Sequence, residues 1–165
     1  MFRGTGIASP GGLFGGRLVY RQPDRGFRTA VDSLALLCFV DSLALHPTSV
    51  CDVGCGSGFL ALCCALLFPD AKVTGVEISE LRAQAAEQNV QANGLAGRVR
   101  VLRADVRDPA STEGARFDLV LSNPPFTPLG RGPLPKDSET AVARFETSLD
   151  MEAFVEAATS ILAPD

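Results

Sequence analysis

The stretch Ser-Val-Cys-Asp-Val-Gly-Cys-Gly-Ser-Gly at residues 49–58 decides the fold. It opens on mostly apolar residues that predict a buried strand, and the apolar run that follows, 58–68, predicts a helix. Between them, Gly54, Gly56 and Gly58 let the backbone pass close to a ligand, and the N-terminus of the helix offers free N–H groups. The sequence therefore predicts a strand, a ligand-binding turn and a helix, in that order.

Strand and helix signals alternate on both sides of this stretch. Periodicity and turn residues predict strands at 49–53, 72–76, 98–102 and 117–121, and helices at 31–45, 58–68, 79–92 and 150–162. Because right-handed βαβ crossovers put such strands into one sheet, we expect a Rossmann-like α/β fold: a three-layer sandwich with a mostly parallel sheet. Ligands of such sheets bind beyond the carboxyl ends of the strands.

Length and composition indicate a single globular domain. The chain has 165 residues, of which 46% are hydrophobic and 21% are charged, as in proteins that bury a core. We interpret residues 1–30 as a loose segment with short extended pieces and residues 31–165 as the domain. The longest apolar run, 59–68, is too short to span a membrane, and no secretory signal opens the chain, so we expect a cytoplasmic protein.

Charge and cysteine usage narrow the function classes. A net charge of −4 argues against a general electrostatic nucleic-acid binder, although residues 1–31 are basic and would favour an anionic partner. The single histidine is His46, and no C-x-x-C pair exists, so we expect neither a metal nor a disulfide. We interpret the cysteines as small buried hydrophobic residues in a reducing compartment. They are Cys38, Cys51, Cys55, Cys63 and Cys64.

Acidic residues end the second and third predicted strands. Glu77 lies about 20 residues after the glycine turn, where an acidic group binds ribose hydroxyls in nucleotide-binding βαβ units. Asp105 is a candidate acceptor for an adenine amino group, so the strand ends outline an adenosine-shaped slot. The candidate cofactor-binding residues at this edge are Asp52, Gly54, Cys55, Gly56, Gly58, Glu77, Ile78, Asp105 and Val106.

Two cofactors compete for this slot. Gly56, Gly58 and Ala61 satisfy the dinucleotide pattern G-x-G-x-x-G/A, which is a weak signal on its own. The longer string, with Asp52 two residues before Gly54, resembles motif I of S-adenosylmethionine-dependent methyltransferases, whose ligand has no pyrophosphate. A glycine-rich turn that binds nothing is the third interpretation.

The most specific feature of the chain is Asn-Pro-Pro-Phe at 123–126, directly after the fourth predicted strand. An aromatic amine or amide nitrogen is a poor nucleophile because its lone pair is delocalised. The side-chain oxygen of Asn123 and the backbone carbonyl of Pro124 would accept its N–H groups and aim the lone pair at a sulfonium methyl. Pro124 and Pro125 would stiffen the turn, and Phe126 would stack on a planar target. Although Asn-Pro is also a common turn signal, the motif favours the methyltransferase interpretation.

From Tyr20 to Asp165 the chain resembles the bacterial tRNA adenine-N6-methyltransferases that modify the purine beside the anticodon of a valine tRNA. This resemblance implies a class I methyltransferase fold, S-adenosylmethionine as cofactor and a tRNA substrate. It rests, in order, on Tyr20-Arg21-Gln22-Pro23 with Gly26-Phe27-Arg28, Asp32-Ser33, the string DVGCGSG, Glu77, Ala104-Asp105, SNPPF and Ala143-Arg144-Phe145-Glu146.

The resemblance also implies roles for individual residues. Asn123 to Phe126 would contact the target adenine, with Asn123 also beside the cofactor. Position 145, often His in this family, is Phe here, which leaves Arg144 and Glu146 as that segment's candidates, although a surface charge pair explains them equally well. The residues expected in an N-terminal lid near the cofactor are Gln22, Phe27, Arg28 and Asp32.

Three alternatives stay open: methylation of a protein glutamine, methylation of an adenine in another RNA or in DNA, and a noncatalytic, truncated fragment that binds the cofactor. Class I methyltransferases carry a seven-stranded sheet, and four strands are predicted here before Asp165. We therefore expect the C-terminal strands of the fold to be missing. The fourth strand would then be an exposed edge that invites pairing with a second chain.

Overall fold

The computed structural model describes residues 14–23, 31–108, 110–123 and 151–164, and they form an α/β fold. Its helices are α1 (Val31–Ser42), α2 (Phe59–Leu67), α3 (Glu80–Ala92) and α4 (Met151–Ile161), and its strands are β1 (Ser49–Val53), β2 (Lys72–Glu77), β3 (Val99–Arg103) and β4 (Leu119–Leu121). The strands are parallel and follow the order β3-β2-β1-β4. The predicted fold class is confirmed, and the four predicted strands and four predicted helices are all present.

The ends of two elements differ from the prediction by two or more residues, and the others differ by at most one. α1 ends at Ser42 rather than at residue 45 because the chain turns there: Leu43 N donates to Val40 O, and Ala44 adopts a left-handed φ of 50°. β4 begins later than predicted. Phe117 lies outside it and forms an isolated parallel bridge with Leu162, next to α4.

Apolar clusters cover both faces of the sheet. On one face, α2 is buried from residue 59 to residue 65 and packs together with Val50. On the other face, Ile161 of α4 packs in one cluster with Cys51 and Val76. The side chains of successive residues of β1 thus pack on opposite faces of the sheet, as the pleat of a strand requires. The result is the expected three-layer arrangement.

The described part of the N-terminal segment, residues 14–23, is fixed to the helices. Leu18 is fully buried, and the ring of Tyr20 meets the ring of Phe59 edge to face, with 5.3 Å between the centroids. Two asparagines bind the backbone of this segment: Asn89 of α3 and Asn93, which directly follows α3. The segment therefore lies against α2 and α3 at residues 18–21, whereas residues 14–17 are exposed.

Asn89 and Asn93 bind two alternate residues of the segment in the same way. Asn93 accepts from Val19 N at 2.8 Å and donates to Val19 O at 2.7 Å, while Asn89 accepts from Arg21 N at 2.9 Å and donates to Arg21 O at 2.6 Å. Asn89 Nδ2 also donates to Ser57 O at 2.9 Å. Because Ser57 belongs to the glycine turn, Asn89 links the N-terminal segment to that turn.

All five cysteines are free thiols, and their burial is uneven. The prediction of buried thiols is confirmed for four of them and is wrong for Cys38, which is exposed on α1. Burial raises the pKa of Cys51 and of Cys63 to about 12, so these thiols stay protonated and unreactive at neutral pH. Within the described ranges, no helix has the length and apolar character needed to cross a membrane.

Candidate functional site

The glycine turn after β1 lines open space. Gly54 and Gly56 have φ values of 69° and 57°, which are unfavourable for residues with a Cβ, and a Cβ added to either would meet nothing within 4 Å. Hydrogen bonds to β2 fix the backbone of the turn, since Gly54 N and Cys55 N both donate to Val76 O, at 2.8 and 3.0 Å. The turn thus presents bare backbone to a space that a ligand can fill.

Gly58 packs against α3 and does not border this open space. Its φ is 84°, and a Cβ placed on it would lie 3.1 Å from Ala86 Cβ of α3. A glycine at this position lets the start of α2 approach α3 closely. Of the three predicted glycines, Gly54 and Gly56 therefore face the candidate ligand space.

Glu77 closes the site from the end of β2. Its side chain is only 2% exposed, and its two oxygens are held by backbone amides: Oε2 accepts from Gly56 N at 2.8 Å and Oε1 from Ser79 N at 2.9 Å. A carboxylate oxygen has two acceptor sites, so each of these oxygens has capacity for one further donor such as a hydroxyl. Ile78, which follows, is half-buried at the same strand end.

Asp52 lies beneath the glycine turn with one oxygen unpaired. Oδ2 accepts from Ala61 N of α2 at 3.0 Å, whereas the buried Oδ1 has no hydrogen-bond partner among the described residues. Burial raises the pKa of Asp52 to about 8, and the charge of Glu77 contributes to this rise. The carboxyl is therefore largely protonated at neutral pH.

Asp105, the candidate acceptor for an adenine amino group, is bound by Arg107. Arg107 Nε donates to both of its carboxylate oxygens, at 2.9 and 3.0 Å, and Arg107 N donates to Oδ1 at 3.0 Å. The hydrogen bonds from Arg107 hold the pKa of Asp105 below its usual value. An adenine amino group bound here would have to share or displace Arg107, a residue absent from the predicted site. Val106, between them, is buried.

Asn123 reaches the same edge of the sheet from β4. The β1–β4 register pairs Asp52 with Leu121, so the residues after β4 lie beside the glycine turn, and Ser122 Oγ donates to Val53 O at 2.7 Å. Asn123 Nδ2 donates to Ser33 Oγ of α1 at 2.8 Å. Sequence reasoning placed Asn123 correctly at a strand end, and it did not find the contact with Ser33.

Some predicted site residues lie outside the described residues. Asp32 is described and is exposed in the first turn of α1, next to Ser33. The predicted residues that the structure does not describe are Arg28, Phe27, Pro124, Pro125, Phe126 and the segment 143–146. The described site therefore consists of the glycine turn, Asp52, Glu77, Asp105 and Asn123.

The glycine turn, Glu77 and Asn123 thus lie at one edge of the sheet. A sequence profile, that of the methyltransferase small domain, matches residues 28–132, more than half of the chain. The chain belongs to this family.

Named relatives within the methyltransferases narrow the comparison. The tRNA1(Val) (adenine(37)-N6)-methyltransferase of Vibrio cholerae is 34% identical over 124 residues, which cover 75% of this chain and 50% of the relative. The enzyme of the same name from Yersinia pestis is 30% identical over 161 residues, covering 93% of this chain and 62% of the relative. The chain thus spans about half to three fifths of the length of these two methyltransferases.

Solved methyltransferase structures share the fold. TrmN from Thermus thermophilus superposes with a TM-score of 0.59 at 30% identity, over 85% of this chain and 37% of that chain. A SAM-dependent methyltransferase from Agrobacterium tumefaciens superposes with a TM-score of 0.61 over 90% of this chain and 47% of that chain, and at 20% identity it supports the fold alone. The Rossmann-like methyltransferase fold is therefore shown for this chain.

Proposed function

We propose that the protein is an S-adenosylmethionine-dependent N-methyltransferase that acts on the exocyclic N6 of an adenine in tRNA. The observation that carries the proposal is the position of Asn123: the β1–β4 register and the bond from Ser122 to Val53 hold this amide beside the glycine turn. A cofactor turn and a nitrogen-binding amide at one sheet edge are what methyl transfer to an amine needs, because the reaction depends on in-line positioning.

The described residues fit S-adenosylmethionine. The open space at Gly54 and Gly56 accommodates a ligand in contact with bare backbone, and Glu77 retains acceptor capacity for two ribose hydroxyls. The buried Oδ1 of Asp52, beneath the glycine turn, has no hydrogen-bond partner among the described residues. When bound, the cofactor supplies a methyl group on a positively charged sulfur. The dinucleotide interpretation is disfavoured because a hydride-transfer enzyme has no evident use for the acceptor pair that the sequence interpretation assigns to Asn123 and Pro124.

The chain's own residues would bind and orient the target nitrogen. The Oδ1 atom of Asn123 accepts one N–H of the exocyclic amine, and by the sequence interpretation the carbonyl of Pro124 accepts the other. Both bonds localise the lone pair on nitrogen and direct it at the methyl group. By the same sequence interpretation, Phe126 would stack on the base. No strong base is required, since the proton can leave after transfer.

The tRNA substrate is supported by the names of the relatives, since those from Vibrio cholerae and Yersinia pestis are both tRNA adenine-N6-methyltransferases. We accordingly assign residues 31–165 to the methyltransferase domain and expect it to act in the cytoplasm, where tRNA is modified in bacteria. Protein glutamine and other nucleic acids stay as outcomes of the substrate test below.

Two measurements test the proposal. Calorimetry with S-adenosylmethionine is expected to show binding by the folded chain, and absence of binding would refute the proposal. Transfer of labelled methyl groups to total tRNA is then compared for the wild type, Asn123→Ala and Gln91→Ala, an exposed amide on α3 that serves as control. We expect Asn123→Ala to lower the transfer rate by about 10²–10³-fold, as loss of one transition-state hydrogen bond does, and Gln91→Ala to leave it unchanged.

The outcomes separate the alternatives. Equal transfer by the wild type and Asn123→Ala would refute the role of the amide. Binding without transfer to tRNA, to DNA or to protein would support a cofactor-binding fragment instead of an enzyme. Labelling of protein or of DNA in place of tRNA would replace the substrate and keep the chemistry.

A further inference from the structure

One side chain of α3, that of Asn89, binds both the glycine turn and the N-terminal segment. Its Nδ2 atom donates to Ser57 O at 2.9 Å and to Arg21 O at 2.6 Å, and its Oδ1 atom accepts from Arg21 N at 2.9 Å. A backbone carbonyl can only accept and a backbone N–H can only donate, so these partners fix the orientation of the amide. Because Asn89 is buried, water compensates poorly for the loss of these bonds.

The Ser57 carbonyl lies just before α2 and lacks the partner that a continuous helix would supply. In such a helix it would accept from the N–H four residues later, that of Ala61. Ala61 N donates instead to Asp52 Oδ2 at 3.0 Å. The bond from Asn89 therefore satisfies a carbonyl that the backbone of α2 leaves without a partner.

Side chains from two elements thus hold neighbouring residues of the glycine turn. Glu77, at the end of β2, accepts from Gly56 N at 2.8 Å, and Asn89 of α3 donates to Ser57 O. Glycine adopts many backbone conformations, so a turn with three glycines in residues 54–58 needs contacts from outside to keep one shape. The shape of the backbone that borders the open space therefore depends on Asn89 as well as on Glu77.

We propose that Asn89 is a positioning residue for S-adenosylmethionine, which holds the glycine turn in its binding conformation and couples docking of the N-terminal segment to cofactor binding. The proposal rests on the proposed function, in which the cofactor lies against this turn. Asn89 acts through Ser57 and not by contact with the reacting atoms. Because such coupling is reciprocal, the docked segment strengthens cofactor binding and the bound cofactor strengthens docking by the same factor.

The binding test compares Asn89→Ala with Asn93→Ala. The side chain of Asn93 binds Val19 N, Val19 O and Asn89 O, so its loss weakens contacts with the same segment and removes no bond to the glycine turn. By calorimetry we expect Asn89→Ala to raise the Kd for S-adenosylmethionine about tenfold, equivalent to about 1.4 kcal/mol. Asn93→Ala is expected to keep the Kd within about twofold of wild type, because Asn89 still holds the segment and the turn.

The binding measurement separates positioning from a general loss of stability. At a temperature where both variants are at least about 95% folded, unfolding alone changes the apparent Kd by only about 5%. A Kd for Asn89→Ala within twofold of wild type, or an equal rise of the Kd in both variants, would overturn the proposal.

Hydrogen exchange followed by NMR without cofactor supplies a second readout. Gly58 N donates to Cys55 O at 2.8 Å and closes the glycine turn, so exchange of this N–H reports opening of the turn. Val73 N of β2 donates to Arg98 O at 2.8 Å, and its exchange sets the contribution of complete unfolding.

The two variants are expected to differ in this exchange. In Asn89→Ala, Gly58 N–H is expected to exchange about tenfold faster than in wild type and faster than Val73 N–H, as opening of the turn alone requires. Asn93→Ala is expected to keep the wild-type rate at Gly58. A Gly58 rate in Asn89→Ala that stays within twofold of wild type, or does not exceed that of Val73, would overturn the proposal.

The wild type decides the matter if Asn89→Ala does not fold. By reciprocity, saturating S-adenosylmethionine is expected to slow the exchange of Arg21 N–H, which donates to Asn89 Oδ1, by about tenfold. Unchanged exchange at Arg21 would overturn the proposal. If the coupling is observed and the wild type transfers no methyl group, the proposed function fails and the coupling stands. If the wild type binds no S-adenosylmethionine, both fail.

Discussion

Replacing Asn89 with alanine removes a buried side chain that contacts both the N-terminal segment and the glycine turn. The amide forms hydrogen bonds with Arg21 N, Arg21 O and Ser57 O at 2.9, 2.6 and 2.9 Å, and the residue is 1% exposed. All three backbone partners lose their bond in Asn89→Ala. The change therefore tests how strongly the two parts of the chain are joined.

The structure sets the size of the expected effect. A hydrogen bond contributes about 1 kcal/mol net, and a buried group left without a partner costs about 1–3 kcal/mol. The bond to Ser57 O is buried and the two to Arg21 are partly buried, so water compensates incompletely. We expect Asn89→Ala to lower the free energy of unfolding by about 3–5 kcal/mol. For a chain of this size the melting temperature would fall by at least about 6 °C.

Asn93→Ala is the matched control. Asn93 binds Val19 N and Val19 O in the same manner, but both bonds are exposed, so water can replace the lost partners. Asn93 Nδ2 also donates to Asn89 O at 2.7 Å, and that carbonyl keeps its bond from Asn93 N in the variant. We expect a loss of about 1 kcal/mol for this variant. Urea unfolding followed by circular dichroism measures the free energy of unfolding of both variants. The two values can be compared if the slope of this free energy against urea concentration is the same as in the wild type. If the two variants lose the same free energy within about 0.5 kcal/mol, burial of the link to Ser57 does not set its strength and the reasoning is refuted.

Three further predictions concern stability. Asp52→Asn is expected to stabilise the fold by an amount that grows by at least about 2 kcal/mol between about pH 5 and about pH 8. The Asp52 carboxyl has a pKa of about 8 in the folded protein, above its pKa in the unfolded chain, so the stability of the wild type falls as the pH rises through this interval. Urea unfolding at both pH values measures the gain, and a pH-independent difference contradicts the prediction. Gly75→Ala is expected to lower the free energy of unfolding by about 1–3 kcal/mol, since the new Cβ would lie 2.7 Å from Cys55 Sγ. Thermal unfolding checks this, and adding Cys55→Ala should recover part of the lost stability. Purely additive losses in the double variant would argue against the clash. Asp118→Ala is expected to cost about 1 kcal/mol near pH 6 by removing the bonds that Oδ2 accepts from Thr48. These bonds lower the pKa of Asp118 in the folded protein, so the cost should begin to decline below about pH 4 and disappear as the pH falls through the lowered pKa. A cost that does not decline in acid would be inconsistent with an ionised acceptor.

Residues at the ends of strands were predictable from the sequence. Alternating strands and helices predict a parallel sheet, and in a parallel sheet the carboxyl ends share one edge. The positions of the strands therefore predict that Glu77 and Asn123 lie beside the glycine turn, and in the structure Glu77 Oε2 accepts from Gly56 N.

Contacts between distant segments were not predictable in this way. The pairs Asn123–Ser33 and Asn89–Ser57 are 90 and 32 residues apart, and no local periodicity connects them. The engagement of Asp105 differs, because its partner Arg107 lies two residues away. An Asp-x-Arg spacing after a strand is a signal that could have indicated the ion pair.

The uneven burial of the cysteines has a practical consequence. A thiol-reactive dye added to the native protein meets a single accessible sulfur, that of Cys38, because the other four are enclosed. Cys38 lies on α1, five residues after Ser33. The unaltered chain thus carries its own unique labelling position, and fluorescence from that position reports on the helix that contacts Asn123 while cofactor and RNA are added.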